Sequence, residues 1–366
     1  MTRAELQQAG SVAFSAKTPR DHGKVLTAKT TGSTGRSLVY RQTALNQLFW
    51  RTFTLRDHFW HGRDLAATLA AIRLGAINTA QPTWGSPPAS LFATGPCVTL
   101  DISTDIAAQI AWIVEHNPTY LLTFPSNLAA LLPRLESEKP RLTKLRQFIT
   151  LAELVSPVLR KECRDRLGVP LIDIYSSREI GYMALQCPRH DHYHVQSESV
   201  LLEVLDERNE ACKPGEMGRV VITALHSFAM PFIRYEIGDY AIVGDSCPCG
   251  RGLPTLERIV GRSRNLVTLP DGTRHWPVFG NDRWVGEFPI LQIQVLQHTT
   301  NEIEVKLAVQ RHLTETEKTR FLAILHKSLG YPFATSITYH DAIPSGPGGK
   351  YEEFISHVEN PAPAMQ

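Results

Sequence analysis

The chain has 366 residues, of which 43% are apolar and 20% charged, a composition that belongs to a globular protein with more than one domain and argues against a large disordered block. A formal net charge of +2 without a basic stripe argues against a nucleic-acid partner, and no apolar run reaches the roughly eighteen residues that a membrane span needs. Residues 1–10 lack the apolar core of a signal peptide and six cysteines do not make a disulfide framework in a chain this long, so the expectation is a cytoplasmic protein whose thiols are core residues, reactive groups or metal ligands.

Over residues 25–173 short apolar runs alternate with helical patterns. Leu65, Leu69 and Ile72 fall on one face of a helix predicted over 64–74. The same spacing recurs at Ile106, Ile110, Ile113 and Val114, and at Leu128, Leu131, Leu132 and Leu135. Ser156 and Pro157 open a further helix that Gly168 closes. Strands are predicted at 120–124, 146–150 and 171–175, and strands separated by helices imply an α/β core with a largely parallel sheet. After Tyr175 the texture becomes β-rich, with strands at 199–205, 218–224 and 232–243, the last broken at Gly238-Asp239, and a turn at Lys213-Pro214-Gly215. A third unit begins near Ser263: a hairpin around Thr299-Thr300-Asn301, a helix opened by the capping box of Thr314 and Glu317 and closed by Gly330, and a strand at 336–339. The domains expected are 1–260, with a β-rich subdomain from about 175, and a small α+β lid over 263–366.

The residues that carry chemistry lie in loops between these elements. Thr30, Thr31, Gly32, Ser33, Thr34, Gly35 and Arg36 form a hydroxyl- and glycine-dense turn whose N–H groups, hydroxyls and cation suit an anion. Alone such a run is ordinary turn material, and it is not a Walker loop, because Gly32 and Gly35 are three apart and no lysine follows. Tyr175, Ser176, Ser177, Arg178 and Glu179 follow an apolar strand, where ligand groups of α/β sheets sit. Met230-Pro231-Phe232-Ile233-Arg234-Tyr235 leads to Asp239; Gly261-Arg262 follows Arg258-Ile259-Val260; and a glycine-rich turn ends on Lys350. A carboxylate for Mg²⁺, one for ribose hydroxyls and cations for phosphates are the parts needed to run chemistry on ATP.

In that order the motifs resemble those of the adenylate-forming superfamily, the acyl-CoA synthetases and luciferases, and within it the phenylacetate–CoA ligase and coenzyme F390 synthetase branch. The branch's Ser-Ser-Gly-Thr-Thr-Gly-Lys loop is matched by residues 30–36, its Gly-Ala-Glu by Leu151-Ala152-Glu153, and its Asp-Ile-Tyr-Gly-Leu-Ser-Glu by residues 173–179. Cys-Pro-Cys-Gly-Arg recurs at 247–251 and Arg-Ile-x-Gly-Arg at 258–262. The resemblance implies a large α/β N-terminal core, a β-rich subdomain and a small mobile C-terminal lid. It also implies activation of a carboxylic acid as its acyl-adenylate, with release of pyrophosphate. Residues 30–36 would hold the triphosphate, Glu179 would bind Mg²⁺, and Asp239 would accept the ribose hydroxyls. Glu153, Tyr175, Ser176, Ser177, Arg178 and Arg262 would also line the nucleotide. Lys350 would bridge the reacting carboxylate and the α-phosphate. Phe124, Pro125 and Leu151 would border an apolar pocket for an aromatic acid, and CoA would be the acyl acceptor; the alternatives are an amine, carrier protein or reductase as acceptor, or a non-catalytic relative that only binds a ligand, against which Glu179, Asp239 and Lys350 argue.

The chain departs from this pattern in three places. Arg178 replaces a Thr or Ser, Arg264 replaces the residue about which the lid turns, and only 29 residues precede the loop, where relatives have a longer segment. In length and abridged start it resembles the adenylating proteins of phenazine antibiotic pathways, which implies a polycyclic aromatic acid. A homodimer is compatible with the sequence, which does not fix the oligomeric state. A second site is legible apart from this one. Cys187, His190, Cys247 and Cys249 would form a closed structural Zn²⁺ site, with His192 and His194 competing for the place given to His190; the blander alternative is free thiols beside a histidine-rich loop.

Overall fold

The computed structural model describes residues 1–30, 37–277, 287–344 and 351–358. Contacts divide the chain into two compact units, Met1–Gly261 and a second beginning at Arg262. The first unit opens with helix α1 (Arg3–Ala9), the ladder of β1 (Val25–Lys29) and β2 (Val39–Thr43), and helix α2 (Ala44–Trp60). Its sheet then uses β3 (Leu69–Arg73), β4 (Thr79–Gln81), β5 (Cys97–Asp101), β6 (Tyr120–Thr123), β7 (Gln147–Leu151) and β8 (Leu171–Ser177). It continues with β9 (Gly181–Gln186), β10 (Tyr193–Val195), β11 (Val200–Leu205), β12 (Met217–Ala224), β13 (Tyr235–Val243) and β14 (Thr255–Arg262). These form one twelve-stranded sheet in the order β11-β12-β13-β14-β10-β9-β8-β7-β6-β3-β5-β4. β5, β3, β6, β7 and β8 run parallel, whereas β8–β9, β9–β10, β10–β14, β11–β12 and β12–β13 pair antiparallel. The expected α/β core with a β-rich half is therefore one continuous surface.

Parallel strands need helical crossovers, and the sequence supplies them with explicit ends. α3 (Pro88–Leu91) is a single turn. α4 (Ile106–His116) starts where the Asp105 carboxylate accepts from the N–H of Ala107 at 2.7 Å and of Ala108 at 3.4 Å, and stops at Asn117 in the left-handed region. α5 (Pro125–Ser137) begins on a proline and buries Leu128, Leu131, Leu132 and Leu135 against Ile113 and Phe148. α6 (Pro157–Glu162) is capped by Ser156 and continues as a π-turn to Gly168 at φ +71. A leucine buried like Leu131 costs about 2–5 kcal/mol when cut to alanine.

Two predicted elements differ. Residues 64–74 do not form a helix: 69–73 are β3, flanked by β5 and β6 in parallel. Ala70, Ala71 and Ile72 are all buried, so the strand is covered on both faces and carries no alternation to read. The break at Gly238-Asp239 is a bulge inside a continuous strand. Arg219 faces Tyr240 while Val221 faces Glu236, so four steps on β13 oppose two on β12, and Gly238 takes φ +89.

In the second unit β15 (Val267–Thr268) pairs with β16 (Arg274–His275). β17 (Ile290–Gln297) and β18 (Glu302–Val309) form the predicted hairpin, α7 (Glu315–Leu329) carries the predicted capping box, and β19 (Ala334–His340) lies parallel to β18. β20 (Phe354–Ser356), not foreseen, lies parallel to β17. Phe321, Leu325 and Leu329 of α7 pack on Val295, Val305 and Leu307 in a core of this unit's own.

Candidate nucleotide and acid site

Among the described residues, the carboxyl ends of β7 and β8 supply most of the predicted nucleotide groups. Glu153 follows β7 after Ala152, which is held at φ +73, and its Oε2 accepts from the N–H of Ser126 at 2.9 Å, at the first turn of α5. The Tyr175 hydroxyl donates to Asp239 Oδ2 at 2.8 Å, so β8 and the β13 bulge bring these two residues together 64 positions apart. Ser177 Oγ accepts from the N–H of Ile180, and the carbonyl of Arg178 accepts from Gln42 Nε2. Ser176 and Ser177 are half-buried and the Arg178 side chain is exposed.

Glu179 follows in the turn after β8 and is buried at 4% exposure. Its Oε1 receives two long contacts of 3.4 Å, from Tyr235 Oη and from Arg3 Nη1. Arg3 Nη2 also donates to Thr30 Oγ1 at 2.5 Å, an oxygen that accepts from the N–H of Leu38 as well. The fold thus gathers Thr30, Glu179, Tyr235 and Arg3. Thr31, Gly32, Ser33, Thr34, Gly35, Arg36 and Lys350 lie outside the described residues. Arg262 ends β14, half-buried, in the second unit. Tyr235 was quoted in a motif without a role, and no sequence signal marked Arg3.

On the opposite side of β8 from Tyr175 lies a cavity of about 140 Å³, walled by Leu69, Trp84, Leu122, Ile149 and Ile174. The strands are those expected to border the acid, but the lining is Leu122 and Ile149, each two residues before Phe124 and Leu151. Thr54, Asp57, His58 and Tyr182 give it a polar side. The Arg63 guanidinium donates to Asp57 Oδ2, meets His58 Nδ1 at 3.0 Å and donates to Gln147 Oε1 at 2.6 Å. Arginine has no acceptor, so His58 Nδ1 accepts and the imidazole proton resides on Nε2. Burial, then the Arg63 charge, lowers the His58 pKa to about 4; burial likewise lowers that of His61 to about 4.

The metal-ligand set needs correction. Cys187 Sγ, His194, Cys247 Sγ and Cys249 Sγ offer ligand atoms all within 4.8 Å of one another, and His190 is not among them. β10 decides this. Its pairing with β9 and β14 sends Tyr193 to Asp173 on one face and His194 to the other, with Nε2 3.3 Å from Cys249 Sγ. His190 precedes the strand on an exposed loop and stacks on His192. Zn–S bonds of about 2.3 Å imply a tetrahedral edge of about 3.8 Å. Cys187 Sγ and Cys247 Sγ are 3.9 Å apart, so three thiols and an imidazole fit a closed zinc site.

No family model matches the chain. Among solved structures it resembles 2-hydroxyisobutyryl-CoA ligase in the postadenylation state (TM-score 0.74, 16% identity, 98% of this chain and 79% of that one). It also resembles the anthranilate CoA ligase AuaEII in complex with anthranoyl-AMP (TM-score 0.63, 14% identity, 88% and 65%). The fold is that of the adenylate-forming ligases. In sequence the chain is similar to phenylacetate–coenzyme A ligases of Pseudomonas putida, 28% identical over 169 residues, and of Thermus thermophilus, 27% over 168. Each match takes in 44% of this chain and 38% of the relative, so the chain matches well under half of those proteins' length. The chain thus has the fold of the adenylate-forming ligases and, over part of its length, sequence similarity to phenylacetate–CoA ligases.

Proposed function

We propose that the protein activates an aromatic carboxylic acid with ATP, forming the acyl-adenylate and pyrophosphate, and then passes the acyl group to a thiol such as CoA. The supporting observation is the convergence at one set of strand ends: Tyr175 bonded to Asp239, buried Glu179 beside Thr30, and an apolar cavity on the same strands. An acid carboxylate attacks the α-phosphorus in line, and pyrophosphate leaves. Asp239, positioned by Tyr175, would hold the ribose hydroxyls. Glu179 fits Mg²⁺, because it is a buried carboxylate with two long contacts on one oxygen; the ion when bound would offset the repulsion between two anionic reactants. Lys350 would bridge carboxylate and α-phosphate, with the second unit acting as a mobile lid. The acid ring would lie against Leu122, Ile149 and Ile174, and the polycyclic acids of phenazine pathways belong in the panel of candidates. Cys187, His194, Cys247 and Cys249 would hold a structural zinc.

Acid-dependent ATP–pyrophosphate exchange tests this. Glu179→Gln should slow exchange at least about tenfold with the protein folded. Exchange at the wild-type rate in that variant would overturn the assignment of Glu179. Lys350→Ala should lose adenylate formation while still transferring the acyl group from preformed adenylate. CoA thioester formation, measured against hydroxylamine trapping, separates thiol transfer from passage to an amine, a carrier protein or a reductase.

A further inference from the structure

Arg3 stands where the nucleotide reading leaves a place for phosphate. Thr2 fixes its position: the hydroxyl accepts from the N–H of Glu5, the Glu5 carboxylate returns to the N–H of Thr2, and this capping box sets Arg3 as the first residue of α1. The helix is tied to the sheet. Thr2 bridges Glu236 in parallel, the N–H of Glu236 donates to the Met1 carbonyl at 2.8 Å, and Leu6 is buried in the core that contains Tyr175 and Tyr235. The guanidinium therefore reaches the gap between Thr30 and Glu179 from a fixed base, with its side chain about a quarter exposed.

The geometry of that gap is informative. Arg3 spends one nitrogen on Thr30, at the edge of the predicted phosphate loop, and one on Glu179 Oε1, the predicted metal carboxylate. The contact to Glu179 is long, and the hydroxyl of Tyr235 shares the same oxygen at the same 3.4 Å. Among the described residues no hydrogen bond reaches Glu179 Oε2. A buried carboxylate needs a countercharge, and here an arginine supplies it. A divalent cation arriving on Glu179 would replace that countercharge and repel the guanidinium. The displaced guanidinium, still held by α1 beside Thr30, would be free to meet phosphate oxygens of a nucleotide bound there, whose pairs match its fork of donors.

We propose that Arg3 is a nucleotide-binding residue that pairs with Glu179 in the empty site and contacts the β,γ-phosphates of ATP when the metal is bound. The inference rests on the nucleotide reading of the site and adds to it a residue from outside the motifs. It predicts discrimination between nucleotides: ATP has the β- and γ-phosphates and AMP lacks them.

The test is calorimetric binding of Mg²⁺–ATP and of AMP to the full chain, with Arg3→Gln and Arg3→Lys compared with wild type. Arg3→Gln should weaken ATP at least about tenfold, the loss expected for one charge-assisted contact, while AMP changes less than about threefold. Arg3→Lys, which keeps the charge and loses the fork, should fall between, and serves as the folded comparison if the glutamine variant is unstable. Equal weakening of ATP and AMP, or no change in either, would overturn the proposal and leave Arg3 as a pin for α1. Wild-type protein that binds neither nucleotide would instead sink the adenylation reading, and this inference with it.

Discussion

Lowering the pH should unfold the first unit through His58 and His61. Both lie in a buried cluster with Asp57 and Arg63, and burial lowers both pKa values to about 4; Arg63 lowers that of His58 further, whereas at His61 the Asp57 charge partly offsets burial and Arg63 adds a smaller lowering. An unfolded histidine titrates near 6.5, so as the pH falls the unfolded chain takes up protons that the folded chain refuses. Each histidine's contribution is therefore complete above about pH 6.5 and is lost progressively toward pH 4. A difference of about 2.5 units corresponds to ~3 kcal/mol per histidine, and the two together steepen the dependence by up to ~2.7 kcal/mol per pH unit near pH 5. Urea unfolding followed by tryptophan emission between pH 7.5 and 4.5 reads this directly, since Trp84 packs against the His58 ring at 5.2 Å. His58→Gln and His61→Gln should each remove about half of the excess slope. A double variant with the wild-type slope would refute the reasoning, because some other group would then be taking up the protons.

Two further outcomes follow from the same geometry. Protein prepared without chelator should carry about one zinc per chain; His194→Ala and Cys249→Ser should lose it, and His190→Ala should keep it, as metal analysis by emission spectroscopy would show. Gly95→Ala should lower stability by at least ~2 kcal/mol in a thermal or urea melt, because an added Cβ would fall 2.1 Å from the carbonyl oxygen of Ala66 and 2.5 Å from that of Ala67.

The parts of the fold that could be read in advance are those whose ends are written locally. Ser156 and Thr314 are caps and Gly168 and Gly330 are left-handed stops, so α6 and α7 stood out, while α4 and α5 showed through their apolar spacing. α2 did not, because its apolar residues run all round it: Phe53 is buried while Leu48, Trp50 and Phe59 are exposed. β3 was misread as helix for the converse reason, since a strand buried on both faces has no period of its own. At the candidate site, the strand-end motif pointed to Tyr175 and Glu179 and the β13 motif to Asp239, and the structure joins Tyr175 to Asp239. Arg3 was invisible, a single arginine that meaning reaches only through contacts 27 and 176 residues away. The choice of His190 over His194 failed because sequence spacing describes a loop, whereas the pleat of β10 decides which ring meets Cys249.

The alternation along β8 also bears on the size of the acid. Tyr175 faces Asp239, so Ile174 faces the other way, into the cavity, and the strand itself stands between the proposed ribose contact and the proposed place of the acid ring. β8 ends at Ser177, and Glu179 follows it. An acid whose far end rests on Ile174 and whose carboxylate reaches that strand end must span about three residues of strand, or ~10 Å at 3.3 Å per residue. Benzoate falls short of this, and a bicyclic or tricyclic aromatic acid matches it. The cavity volume of about 140 Å³ takes one ring, so the rest of such an acid would extend beyond it toward the strand end. Exchange assays across acetate, benzoate, naphthoate and a tricyclic aromatic acid should therefore show KM for the acid falling as length grows. Ile174→Phe, which shortens the cavity, should shift the preference toward the shorter members. Equal KM for benzoate and the tricyclic acid, or an Ile174→Phe variant with the wild-type order of preference, would show that the ring does not bind on this face of the sheet.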